Sequence, residues 1–342
     1  MRNDERRKKS QRRPARWWLR FPGEIAACPA CTSPRVQVLD AFSIIRTSDG
    51  RRVSFATGCD ECGLLFANPP PTREDLDRFY SPEGPWAALH EERTKRIEEK
   101  ALLRRKKPKP RKAGGKRSPR DLLIEALTPY LPIETPLSGA KVLDFGCGDG
   151  RFLDSLQDIG WQTYGIEPST SVAFLRHHRL DAPPQDDSFD FAILHHVLEH
   201  VTEPLGLLRQ VAGSLRDGGV LFLSVPRLDT LPVHGRYRYC LNGRKHVVAF
   251  SERCLQSLLA RAGLAFTARL DHRLDETLTE GLPLRLRVVA TRTTAPLHLP
   301  ASPMAPARKA LRDYGRTGDI ASRMRRLLPV RVRAALLDRA RE

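Results

Sequence analysis

Three glycines on alternate positions, Gly146, Gly148 and Gly150, stand between an apolar run that closes on Asp144 and an amphipathic pattern that resumes at Phe152, Leu153 and Leu156. This spacing predicts a strand, a tight turn and a helix. Glycine suits such a turn because its φ angles penalise a Cβ, and because a backbone without side chains can lie against a ligand. The dinucleotide fingerprint would put a third glycine three residues after Gly148, where Arg151 stands, so the GxGxG spacing argues against a nicotinamide site. A second apolar run ends at Tyr164-Gly165-Ile166-Glu167-Pro168. Glu167 falls roughly 20 residues after the first run, where a doubly wound sheet places the carboxylate that binds a ribose diol. Together the two segments bracket a nucleoside.

Further segments follow in a fixed order. Ser188 to Leu194 reads as a buried strand, followed by His195-His196-Val197-Leu198-Glu199-His200. Leu207, Leu208, Val211 and Leu215 have helical spacing, and Asp217-Gly218-Gly219 turns into a strand from Val220 to Val225. A helix is expected over Ser251 to Leu264, capped by Ser251 with Gly263 near its end, and a last strand over Leu284 to Thr291. With these segments the chain resembles class I methyltransferases that use S-adenosylmethionine, of the type 11/12/23 kind. The resemblance implies an α/β fold: a Rossmann-like, doubly wound, seven-stranded sheet with an antiparallel last strand. It places Asp144, Gly146, Cys147, Gly148 and Gly150 at the methionine part of the cofactor, Glu167 and Pro168 at its ribose, and His195 nearby. Only 22 residues separate Glu167 from Asp190, so the third strand and the segment covering the adenine must be short.

Cys28-Pro-Ala-Cys31 and Cys59-Asp-Glu-Cys62 are paired knuckles, each offering two thiolates to one tetrahedral ion. Short strands are expected between them, over Val36 to Ile45 and Arg52 to Ala56. The segment after Cys62, through Phe79 and Tyr80, resembles the zinc-ribbon lead-in of many bacterial class I methyltransferases, which implies structural Zn2+ on Cys28, Cys31, Cys59 and Cys62. Zinc suits a four-thiolate set and needs no redox chemistry. A redox CxxC would need a thioredoxin-like context, which the sequence lacks. Cys240 and Cys254 are isolated, and the thiol of Cys147 reads as an ordinary small side chain.

The chain has 342 residues and a net charge of +18, unevenly spread. Residues 1–20 hold nine Lys or Arg against two acids, residues 93–120 fourteen against two, and the last 40 residues eleven against four. The excess therefore belongs to tails and a linker, and leaves the core mildly acidic. The expected organisation is a basic tail over 1–22, a zinc-ribbon-like module over 23–82, a basic helix and linker over 83–120, a methyltransferase domain over 121–295 and a basic extension over 296–342. Lys106 to Arg120 is too polar and too rich in Pro and Gly to bury a core, and reads as a disordered linker. Val330 to Leu337, interleaved with arginines, suits a short basic amphipathic helix, for which docking on the protein's own surface is preferred. The basic segments permit attraction to nucleic acid or an anionic membrane but do not require it. No segment has the apolar length of a membrane span or a signal peptide, and an odd cysteine count with two CxxC pairs suits a reducing compartment, so a cytoplasmic location is expected.

Methyl transfer from a sulfonium needs alignment of the acceptor and, for a hydroxyl or amine, removal of a proton. His195, His196 and His200 beside Glu199 lie at the carboxyl edge of the expected sheet, with His246 in a segment that commonly shapes the acceptor pocket of the family. His196 and His246 are the preferred bases. Some relatives, including ubiquinone-pathway O-methyltransferases, bind a divalent ion through ExxEH; here the pattern is His196-Val-Leu-Glu199-His200. A small-molecule or glycan-precursor acceptor is the leading expectation. Against an RNA acceptor, the linker from Arg104 to Arg120 contains no aromatic residue to stack on bases. Against a non-catalytic binding module stand the intact Asp144, glycine turn and Glu167.

Overall fold

The two cysteine pairs stand at the turns of a small antiparallel sheet. Its strands are β1 (Val36–Thr47), β2 (Gly50–Cys59) and the fully buried β3 (Leu65–Asn68). A capped helix, α1 (Arg73–Tyr80), follows; Thr72 and Asp75 exchange the side-chain and backbone hydrogen bonds of a capping box. The computed structural model describes residues 27–47, 50–88, 91–92, 95, 125–130, 139–158, 160–168, 177–231, 237–243, 245–270 and 284–317. The basic tail over 1–22, the linker over 104–120 and the segment 330–337 lie outside them.

From Lys141 onward the chain builds a second sheet. The glycine turn joins β4 (Lys141–Phe145) to α2 (Arg151–Gln157), which leads through β5 (Gln162–Ile166) and β6 (His178–Arg179) to β7 (Phe189–His195). A 3-10 turn (Leu198–His200) precedes α3 (Pro204–Ser214), where Pro204 occupies the first turn and Leu205, Leu208, Val211 and Ala212 are buried. Then come β8 (Leu215–Pro226), α4 (Tyr237–Cys240), β9 (Val248–Ala249), α5 (Glu252–Arg261), β10 (Leu264–Arg269), β11 (Arg285–Arg292) and α6 (Ala305–Thr317). The sheet order is β10-β11-β8-β7-β4-β5-β6. Neighbours from β8 to β6 run parallel, and β11 pairs antiparallel with both β8 and β10.

This is the Rossmann-like, seven-stranded arrangement with an antiparallel strand that the resemblance implies. The central strands are apolar on both faces, as strands covered on both sides must be. Leu143, Phe145, Ala192, Leu194, Leu221 and Leu223 enter one core layer, while Val142, Phe191, Ile193, Val220 and Phe222 enter the other. β6 is two residues long, in keeping with the short gap after Glu167. The start of β8 differs from expectation. Asp217-Gly218-Gly219 lies inside β8, where the register against β7 slips between Phe189 and Phe191, and Gly218 at φ +73° absorbs the slip. The expected strand simply begins five residues early, at Leu215.

The cysteine-bearing sheet also joins the core. β3 pairs antiparallel with β9, Leu65 opposite Ala249 and Phe66 opposite Val248, so the small sheet takes its fourth strand from the C-terminal half of the chain. Cys28, Cys59, Cys62, Leu64 and Phe66 share a buried cluster with Leu143, Leu198, Val248 and Leu255. On its other side the sheet is covered by α6: Met304, Ala307 and Ala310 pack with Ala56 and Leu65. No helix among the described residues is long and apolar enough to cross a membrane.

Candidate functional site

At the end of β4 the backbone turns through three left-handed glycines, Gly146 at φ +69°, Gly148 at φ +54° and Gly150 at φ +72°. The amides of Gly146 and Cys147 both donate to the Ile166 carbonyl, at 2.7 and 3.1 Å, which ties the turn to the end of β5. A Cβ on Gly146 would meet Val197 Cγ2 at 2.7 Å, and one on Gly165 would meet Cys147 Sγ at 2.6 Å. These two glycines let the turn, the strand end and the segment after β7 close together. Gly148 differs, since nothing lies within 4 Å of its would-be Cβ. Its amide donates to Glu167 Oε2 at 2.9 Å, which holds that carboxylate at the rim of the turn.

Asp144 is buried, and burial followed by the nearby Glu167 charge holds its carboxyl well above the usual carboxylate range. Such a group favours an incoming cation, whose charge would repay the ionisation that burial disfavours. The Cys147 thiol is pushed up by burial and by the charges of Asp144 and Glu167, which disfavours its thiolate form. Pro168 is exposed beside Glu167. His195, at the end of β7, stacks on Phe152 of α2 at 6.1 Å and meets His196 edge-on at 4.9 Å. The structure thus brings every expected cofactor residue to one edge of the sheet.

Beyond β7 the chain makes a sharp left-handed step at His196, φ +62°. That step brings its Nδ1 within 2.8 Å of Glu199 Oε1. Glu199 is fully buried, and burial raises its pKa against the lowering pull of His200 and His246. His200 is pushed down to about 4, first by burial. Burial also lowers His246, whose Nδ1 lies 2.5 Å from the Tyr239 carbonyl. A carbonyl only accepts, so Nδ1 carries the proton and Nε2 keeps its lone pair. Asn242 Oδ1 accepts from the amides of Lys245 and His246, and Val247 donates to the Glu199 carbonyl at 2.9 Å.

His196 and His246, the two expected bases, therefore flank one carboxylate. A donor atom from each of Glu199, His200 and His246 lies within 4.8 Å of the others, a set that could hold a divalent ion. The HxxEH pattern alone would have enlisted His196; the fold substitutes His246, 50 residues later in the chain. Sequence reasoning also missed Tyr80, whose hydroxyl lies 3.0 Å from His200 Nδ1 across 120 residues of chain. No local spacing announces such a contact.

The four cysteines converge as expected. Cys28 and Cys62 Sγ lie 3.6 Å apart, as do Cys31 and Cys59, and all four sulfurs fall within 4.8 Å of one another. A tetrahedral ion with bonds of about 2.3 Å needs sulfur separations of about 3.8 Å, so the set fits. The knuckles match each other: Thr32 donates to the Cys28 carbonyl and Gly63 to the Cys59 carbonyl, and both Thr32 and Gly63 are left-handed. None of the four forms a disulfide.

Residues 112–268 match the model of a methyltransferase domain family. A ubiquinone biosynthesis O-methyltransferase of Xanthomonas campestris pv. campestris is 33% identical over 128 residues, covering 33% of this chain and 54% of that protein. The same figures hold for its counterpart in Xanthomonas oryzae pv. oryzae. The chain spans about half the length of these relatives. Among solved structures, an S-adenosylmethionine dependent methyltransferase from Mesorhizobium loti aligns with a TM-score of 0.39 at 23% identity, over 50% of this chain and 100% of that one. The glycine turn and most of the seven-stranded sheet lie within the residues, 112–268, that match the methyltransferase domain family.

Proposed function

We propose that the protein transfers a methyl group from S-adenosylmethionine to a hydroxyl of a small-molecule acceptor. The observation that carries the reading is the paired arrangement of a buried, high-pKa Asp144 and a rim carboxylate, Glu167, fixed by the amide of an open glycine, Gly148. When bound, the cofactor supplies an activated methyl on a cationic sulfur. Asp144 would favour the cationic amino acid end, and Glu167 would accept hydrogen bonds from a ribose diol. Gly148 leaves its backbone open to close approach.

At the acceptor end, methyl transfer breaks a carbon–sulfur bond, forms a carbon–oxygen bond and releases one proton. His196 is the proposed base, its ring oriented through Nδ1 by Glu199 as a general base requires. His246, with Nδ1 committed to the Tyr239 carbonyl, presents Nε2 as the second group. The name of the Xanthomonas relatives supports a hydroxyl acceptor. The structural ion is proposed to be zinc, on Cys28, Cys31, Cys59 and Cys62.

Titration calorimetry tests the central claim. S-adenosylmethionine and S-adenosylhomocysteine should bind the full chain, and Asp144→Ala or Glu167→Ala should each weaken binding by about tenfold or more, the cost of about 1.4 kcal/mol. Unchanged affinity in both variants would refute the reading.

A further inference from the structure

We propose that Tyr80, which lies outside the methyltransferase domain match, is a positioning residue of the acceptor end and holds the His200 ring against Glu199. The proposal rests on the acceptor-end reading above. Tyr80 is the last residue of α1, and its hydroxyl makes a 3.0 Å hydrogen bond to His200 Nδ1. His200 Nε2 then lies 4.0 Å from Glu199 Oε1, the oxygen that accepts from His196 Nδ1. One tyrosine from the ribbon side of the molecule thus begins a line of polar groups that ends at the proposed base.

Tyr80 is itself fixed from three sides. Phe79 and Trp86 meet its ring edge-on at 5.0 and 5.8 Å, and Trp86 also faces the His200 ring at 6.5 Å. Lys245, from the turn that carries His246, sits over the Trp86 ring at 5.1 Å from its centre. Gly84 makes this possible. A Cβ there would lie 2.3 Å from the Arg78 carbonyl oxygen, so only glycine lets the chain fold back across the end of α1 and deliver Trp86. The hydroxyl is neutral, since burial and then the charges of Glu199 and Glu167 raise its pKa.

The test uses full-length Tyr80→Phe loaded with its metal, with Tyr80→Leu as a second variant. The readouts are histidine ring 15N signals, S-adenosylhomocysteine calorimetry, and methylation of 3,4-dihydroxybenzoate as a catechol probe. Tyr80→Phe should change the His200 tautomer signature while leaving S-adenosylhomocysteine affinity within about twofold. Where the probe is methylated, kcat should fall by about 10–100-fold, the range expected when a reacting group loses its alignment, with the KM for S-adenosylmethionine unchanged. Tyr80→Leu should show the same loss, so Phe79 and Trp86 packing alone does not explain it. Wild-type His200 signals in Tyr80→Phe would overturn the role of Tyr80. Failure of the wild-type protein to bind S-adenosylhomocysteine would instead overturn the reading beneath it.

Discussion

Asp144 concentrates the energetic conflict of the site in one side chain. Its folded pKa is raised, so at acidic pH the folded state keeps a proton that the unfolded chain releases first. The corresponding stability is complete below the ordinary carboxylate range and is lost as pH rises through the folded value. Asp144→Asn removes this dependence. The ligand-free variant should therefore match wild type at low pH and exceed it at pH 7, where each kcal/mol gained shifts Tm by about 2–4 °C. The same substitution should weaken S-adenosylmethionine binding, because the neutral amide cannot answer a cation. Melting curves from pH 4 to pH 8 with and without cofactor check both halves. A variant equally stable or weaker at pH 7 would contradict the burial argument. The residue roles most legible in the sequence were of this local kind. The turn from Asp144 to Gly150 and the acid at Glu167 lie close in the chain, and their spacing carries the chemistry. Tyr80, His200 and His246 were not legible as a group, because only the fold closes the distance between them.

Among the elements, the cysteine sheet was read correctly as a pair of knuckles around two strands, but its fourth strand was not foreseen. β9 is two residues long, Val248–Ala249, too short for any periodicity to mark. Its pairing with β3 makes the four-cysteine cluster part of the core, since Cys28, Cys59 and Cys62 are buried against Leu64, Phe66 and Leu255. Cys28→Ser or Cys59→Ser should therefore reduce zinc from about one per chain to near zero and also lower the melting transition of the whole protein. Elemental analysis and calorimetry measure the two effects. An intact main transition without zinc would mean that the sheet folds independently of its ion.

Across the whole molecule, the C-terminal helix α6 closes the side of the cysteine sheet that faces away from the methyltransferase core. Met304 is buried, with its methyl and sulfur where a Cβ on Gly58 would stand, and Arg308 pairs with Asp60. Met304→Ala should cost about 2–5 kcal/mol, the range for opening a cavity by deleting a buried side chain. Urea unfolding reads this, and a loss below about 1 kcal/mol would show that α6 does not hold the sheet. Docking of the C-terminal region on the protein's own surface was anticipated for residues further along; the described contact is made earlier, by Ala305–Thr317.

The hydrogen bonds Ala67 N to Val247 O and Val247 N to Glu199 O leave the turn that carries His246 strung between the cysteine sheet and the segment that carries Glu199. The glycine turn has no such tether to that sheet among these bonds. On the proposed roles, changes in the cysteine sheet would reach the acceptor end through this pair of bonds before they reached the donor end. Sequence change in the small sheet would then tune the acceptor while leaving the proposed donor turn as it is.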